Sequence, residues 1–206
     1  MNKMLTGISI AIVLSFGYFG YNVTFETGAN KQLQMSDPNL IIAHASWGNE
    51  FKSVESLIAA SDLVVLGSLE QELSSYQPFK GKGLKDTFTD ARFKIDKVFK
   101  GEKGTQSIIV SQYGGKRPNG KIEIFAELPL MEKDQQYLLF LEQIHDNTKR
   151  NGKYQTIRGV QGFYMYNPNS TFLLSNHKAL KGTVNGKINK KVIEKGIKGI
   201  KEIVLR

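Results

Sequence analysis

In Phe88-Thr89-Asp90-Ala91-Arg92-Phe93-Lys94-Ile95-Asp96-Lys97-Val98-Phe99, apolar and charged side chains alternate, with Ala91, Phe93 and Ile95 set against Asp90, Arg92, Lys94 and Asp96. Successive side chains of a strand point to opposite faces, so this pattern specifies a strand buried on one face and wet on the other. The phase slips before Val98 and Phe99, which predicts a bulge that bends the strand. Lys100-Gly101-Glu102-Lys103-Gly104 has turn chemistry. Ser107–Tyr113, centred on Ile108-Ile109-Val110, is the returning strand, and Gly114-Gly115 ends it.

Working outward, Ser53 is placed to cap a short helix that carries Val54, Leu57 and Ile58 on one side. Leu63–Gly67 is a continuous apolar run of strand length. Residues 71–87 are polar and glycine-spaced and read as a long loop. Lys121–Phe125 is a short alternating strand, Tyr137–Ile144 the strongest in the chain, and Gln161–Tyr166 another; Leu40–Ala43 has the length of a short edge strand. Phe163/Met165 and Leu139/Leu141 place apolar groups on one face, as a core does. Five or six short, bent strands predict a mainly β fold with some α, a small antiparallel barrel, because closure removes exposed edges.

The tail is helical, over about residues 189–205. Ile193, Ile197, Ile200 and Val204 recur at spacings of four, three and four, with Val192 and Ile203 beside them and Lys191, Lys195, Lys198 and Lys201 opposite. Gly196 and Gly199 each cost about 1 kcal/mol of helix propensity, so this helix needs a partner, and the barrel is the expected one. The lysines then form an exposed basic ridge.

The charge is uneven. The chain has 206 residues and a formal charge of +9. Residues 1–150 balance 17 basic with 17 acidic side chains, so the whole excess falls in residues 151–206. A neutral body with a basic tail points to local attraction to an anionic surface. Nucleic acid is not expected as a partner, because the strand aromatics alternate with apolar residues instead of interleaving with cations on one face.

Met1-Asn2-Lys3 is a basic start, and the 18 residues Met4–Tyr21 carry no charge. As a helix they reach roughly 27 Å, just enough for a hydrocarbon core. Phe16, Tyr18, Phe19 and Tyr21 suit an interfacial belt at its outer end. The expected organisation is a signal anchor over residues 1–21 with the N-terminus in the cytoplasm, a spacer over 22–49, and an extracytoplasmic domain over 50–206. The alternative is a signal peptide cleaved near Ala29 to release a secreted form. Trp47, the only tryptophan, reads as a packing residue at the lip of the domain.

Motifs of catalysis are lacking. Cysteine is absent, which removes disulfides, thiol catalysis and thiolate metal sites. The three histidines, His44, His145 and His177, are far apart and have no metal-ligand spacing. Lys80-Gly81-Lys82-Gly83 lacks the strand and helix that a phosphate-binding loop requires. No cofactor is implied. The most suggestive segment is Gln112–Lys121, in which Tyr113, Gly114, Gly115, Lys116, Arg117 and Lys121 combine an aromatic, freely shaped backbone and cations at a hairpin tip. These six residues are a candidate contact loop.

Five segments together resemble a family of small exported β-barrel domains of Gram-positive bacteria. They are Ala60–Gly67, Phe93–Gly101, Ile109–Gly115, Leu128-Pro129-Leu130 with Tyr137–Leu141, and Val160–Phe163, in matching order across residues 53–166. The resemblance implies an oligonucleotide-binding-like (OB-like) barrel, also found in metalloproteinase inhibitors and netrin modules. It implies no activity, and the amino-terminal cysteine wedge of those inhibitors has no counterpart here. The expected function is therefore binding, not catalysis, of an anionic envelope polymer, lipid headgroups or a membrane protein partner. The alternatives are a structural subunit of a membrane complex and a secreted wall-active hydrolase.

Overall fold

The computed structural model describes residues 38–45, 48, 50–79, 86–170, 172–174, 183–184 and 187–204, with side chains excepted at 172–174, 183–184, 187–188 and 199–204. The expected anchor (1–21), most of the 22–49 spacer, Trp47, His177 and the Lys80–Gly83 segment lie outside these residues. So do the side chains of Ile200, Lys201, Ile203 and Val204.

Along the chain come strands β1 (Leu40–Ala43), helix α1 (Val54–Ala60), β2 (Leu63–Tyr76), β3 (Phe88–Lys100), β4 (Ser107–Tyr113), β5 (Gly115–Lys116) and β6 (Ile122–Phe125). They are followed by β7 (Gln136–Gln143), β8 (Tyr154–Thr156), a 3-10 turn over Gly159–Gly162, and β9 (Phe163–Tyr166). Last come β10 (Phe172–Leu174), β11 (Thr183–Val184), β12 (Lys187–Asn189) and helix α2 (Lys190–Val204).

Strands β2, β3 and β4 form an antiparallel meander, and β7 pairs antiparallel with the other side of β2. The short β8 then bonds β7 antiparallel and meets β4 in parallel at Val110–Tyr154, which closes a five-stranded barrel. That one parallel contact departs from the expected all-antiparallel barrel. It arises because β8 lies between β7 and β4, which run in opposite directions. Beyond the 3-10 turn, β9 continues along the same side of β7, so Leu141 faces Thr156 while Leu139 faces Phe163. β9 carries β10, β12 and β11 outward, and a separate sheet in the order β1-β6-β5 has β1 parallel to β6.

The slip in β3 is real and double. Phe99 and Asp96 are the extra residues between the pairs Val64–Lys100, Val65–Val98, Leu66–Lys97 and Gly67–Ile95. Bulges sharpen the local twist, which lets a sheet this small curl shut. Residues 71–76 extend β2 instead of opening a loop, because β3 satisfies their backbone from one side, Gln71, Glu72 and Ser74 stay at the surface, and Ser75 and Tyr76 bond Thr89 and Asp90. Gln161 belongs to the 3-10 turn, where its buried amide accepts from Phe51 N–H (2.9 Å) and donates to Phe51 C=O (2.9 Å).

Leu63–Gly67 is apolar throughout because both faces are covered. Val65, Leu139, Leu141, Phe93, Val110 and Phe163 fill the barrel, and Phe125, Leu128 and Met131 join that core. On the outside, Val64, Leu138, Phe140 and Tyr164 pack with Val54, Leu57 and Ile58 of α1 and with Ile193 and Ile197 of α2. Complete burial of each such aliphatic or aromatic side chain is worth about 1.5–3 kcal/mol, which holds two helices of modest propensity in place. Helix α1 starts at Ser53, whose Oγ accepts from Ser56 N–H (3.2 Å) in a capping box. Its C-terminal carbonyls receive Lys100 Nζ, which donates to Ile58 O (2.9 Å) and Ala59 O (2.8 Å). Gly196 lets α2 approach α1, since a Cβ there would stand 2.9 Å from Ile58 Cδ1. Among the described residues no helix is long and apolar enough to cross a membrane.

Candidate functional site

The loop singled out by composition is held from beneath. Tyr113 is half-buried, its ring 4.7 Å from Phe88 and 5.7 Å from Phe125. Gly115 sits at φ +127°, where a Cβ would fall 1.9 Å from Thr89 Oγ1 and 2.5 Å from Ser75 Oγ. No L side chain fits that conformation and that space, so the glycine is what lays β5 against the ends of β2 and β3. Thr89 Oγ1 donates to Gly114 O (2.7 Å) and Lys116 N–H donates to Ser75 Oγ (3.1 Å), which fixes the hairpin.

The two adjacent cations of the tip part company. Arg117 turns inward: its Nε donates to Glu123 Oε2 (3.1 Å) and its Nη2 to Glu123 Oε1 (2.6 Å). The Glu123 side chain is 3% exposed and also accepts from Thr87 N–H (3.0 Å). Burial pushes the Glu123 carboxyl up, but the bonds from Arg117 and Thr87 outweigh it and hold it below the usual carboxylate range. Lys116 and Lys121 are exposed, and their ammonium groups bond nothing among the described residues. The structure thus brings Tyr113, Gly114, Gly115 and Arg117 into the packed base of the hairpin and leaves Lys116 and Lys121 to solvent.

A second polar cluster sits on the outside of β3 and β4, under the β7–β8 connection. Lys153 Nζ donates to Asp90 Oδ2 (2.5 Å), and Tyr76 Oη donates to Asp90 Oδ1 (2.8 Å) and lies 3.2 Å from Ser111 Oγ. Arg150 is buried with its guanidinium 3.9 Å over the Phe88 ring; it donates to Ser111 Oγ (3.2 Å) and to Gln155 Oε1. Desolvation lowers the Lys153 pKa, but Asp90 and Tyr76 more than reverse it, so the ammonium titrates above its ordinary range. Desolvation, together with Asp90, raises Tyr76 against the lowering bonds from Ser111 and Lys153. These groups satisfy one another, which makes the cluster a clamp on the connection. Sequence reasoning did not find it, because nothing in one sequence links Asp90 to Lys153 across sixty-odd residues.

The ridge has a definite side. Ile193, Gly196 and Ile197 are buried, whereas Lys191, Lys195 and Lys198 are exposed together with Glu194. Lys201 is helical, its side chain outside the described residues. Asn189 Oδ1 accepts from Lys191 N–H (2.9 Å) at the helix start, and Lys190 Nζ donates to Asn167 O (2.7 Å) over the Tyr166 ring. The contact loop and the ridge belong to different parts of the fold: the loop hangs on β2 and β3, and the ridge lies over α1 and the outer core. Among the described residues no three His, Asp or Glu side chains converge as metal ligands would.

The fold and the two basic features define the class as a small closed β-barrel flanked by helices. No protein-family model matches the chain, and no curated protein or solved structure matches it.

Proposed function

We propose that the protein is an extracytoplasmic binding barrel, carried by its N-terminal segment at a membrane, whose α2 lysines hold it against an anionic surface. The observation that carries this reading is the two-faced helix: Ile193 and Ile197 are spent on the domain's own core, and Lys191, Lys195 and Lys198 remain in water. A buried apolar face orients the cations outward as a fixed row. The strand order supports reading the barrel as OB-like, with a three-stranded meander closed by two further strands and one parallel contact. Export is supported by the charge-free run Met4–Tyr21 behind Lys3. Binding in preference to catalysis is supported by the engagement of the buried ionic groups Asp90, Glu123 and Arg150, and of the half-buried Lys153, in packing contacts.

Each lysine near an anionic bilayer contributes about 1 kcal/mol, so four together shift the contact of α2 with the surface by roughly a thousandfold. The test reconstitutes the full chain, and a variant carrying Gln at Lys191, Lys195, Lys198 and Lys201, in phosphatidylcholine vesicles with and without phosphatidylglycerol, and reads amide exchange in α2. The wild-type helix should be protected further on the anionic vesicles and lose that added protection as salt rises. Equal protection of α2 in the two proteins on anionic vesicles at low salt would remove the reading.

A further inference from the structure

Strand β2 outruns its neighbour. It pairs with β7 only over Leu63–Ser68, yet it continues to Tyr76 with β3 on one side alone. Among the described residues, no strand bonds the opposite edge of Leu69–Tyr76. Between its bulges such an edge presents backbone N–H and C=O groups that are complementary to another extended backbone. Beside it lies an open cleft of about 400 Å³, lined by Glu72, Leu73, Ser75 and Tyr76 on one side and by Lys116, Arg117 and Pro118 on the other. Both walls are braced: Tyr76 by Asp90 and Ser111, Arg117 by Glu123.

We infer that this edge is a strand-addition site for an extended peptide segment of a protein partner, basic at alternate positions. Charge selects the occupant. Glu70 and Glu72 are exposed and bond nothing among the described residues, and opposite charges across a strand pair are favourable. A second copy of the chain is disfavoured, since edge-to-edge pairing brings the Glu70 and Glu72 carboxylates of both copies together. The bulges at Leu69/Gln71 and Glu72/Ser75 divide the edge into short registers, so an added segment pairs over only a few residues at a time. Leu73 and Pro118 supply apolar contact within the cleft. This surface is separate from the α2 ridge.

The test is hydrogen exchange on the full chain in mild detergent. The probe is a pool of twelve-residue peptides with lysine at every second position and Val, Ile, Thr or Tyr between. At a pool concentration about ten times the dissociation constant, edge amides within Leu69–Tyr76 exchange about tenfold more slowly. A pool N-methylated at alternate positions, unable to donate along the edge, leaves them unchanged. The double variant Glu70→Gln/Glu72→Gln weakens the effect at an unaltered melting temperature, whereas Lys116→Gln does not weaken it. No slowing, equal slowing by the N-methylated pool, or slowing confined to α2 overturns the inference.

Discussion

Replacing Arg117 by alanine tests whether a cation at a loop tip is a surface group or part of the core. The guanidinium makes two bonds to a carboxylate whose side chain is 3% exposed, while the Arg117 side chain itself is 22% exposed. Breaking a buried pair by removing one partner costs about 3–5 kcal/mol, and partial access of water to the arginine brings the expectation here to about 2–3 kcal/mol. For a domain of this size that is a fall of roughly 5–10 °C in Tm. The pair also has a pH signature. The Glu123 carboxyl is held below its ordinary range, so its contribution is present above the unfolded pKa of about 4.3 and is lost as pH falls through the lower folded value. In Arg117→Ala, desolvation is opposed by the Thr87 bonds alone, so the carboxyl rises from its wild-type position, and the gap between variant and wild type is widest near neutrality and narrows below about pH 4. Glu123→Gln in the Arg117→Ala background removes the stranded charge and should recover at least half the loss. Thermal melts from pH 3 to 8 read all of this. A Tm for Arg117→Ala within about 1 °C of wild type at pH 7 would refute the argument and return Arg117 to the solvated tip.

Ile197→Ala, which opens the interface of α2 with α1 and the sheet, should cost about 2–4 kcal/mol in chemical denaturation, and an unchanged midpoint would mean that the helix docks elsewhere. Gly115→Ala should cost more than its one methyl suggests, because the new Cβ meets Thr89 and Ser75 at a left-handed φ; loss of exchange protection in β5 and β6 is the readout. Lys153→Met leaves Asp90 with Tyr76 as its main partner and should destabilise by about 1–3 kcal/mol, read as a lower midpoint in chemical denaturation. Lys100→Met withdraws the ammonium from the end of α1 and should cost about 1 kcal/mol in Tm-derived stability with no change in the exchange protection of α2 on anionic vesicles.

Much of the barrel is legible because its strands carry local instructions. Ser107–Tyr113 and the alternation from Phe88 depend only on side-chain period, and the Ser53 cap depends on a hydroxyl next to free N–H groups. Tyr154–Thr156 escaped the reading: three residues, one of them buried, have no periodicity to show, yet they close the ring. The extension of β2 escaped it as well, because Glu70-Gln71-Glu72 is loop-like in composition and becomes strand only through its bonds to β3. The contact loop was legible as a glycine-rich basic tip, but the fate of Arg117 was not, since Glu123 lies in a strand whose exposed face composition alone would assign to it.

By itself the sequence determined what depends on neighbours along the chain: the alternating strands, the helix cap, the stripe of Ile193 and Ile197, and the concentration of positive charge in the last quarter. Tertiary structure alone decided which polar groups are taken out of water and by whom. Asp90 meets Lys153, Glu123 meets Arg117, and among the described residues β2 pairs with β3 alone beyond Ser68. The reason is that a charge or a backbone N–H looks the same in sequence whether it is solvated or paired. Its energy is set by the groups that the fold places within about 3 Å of it, and those groups come from strands remote along the chain.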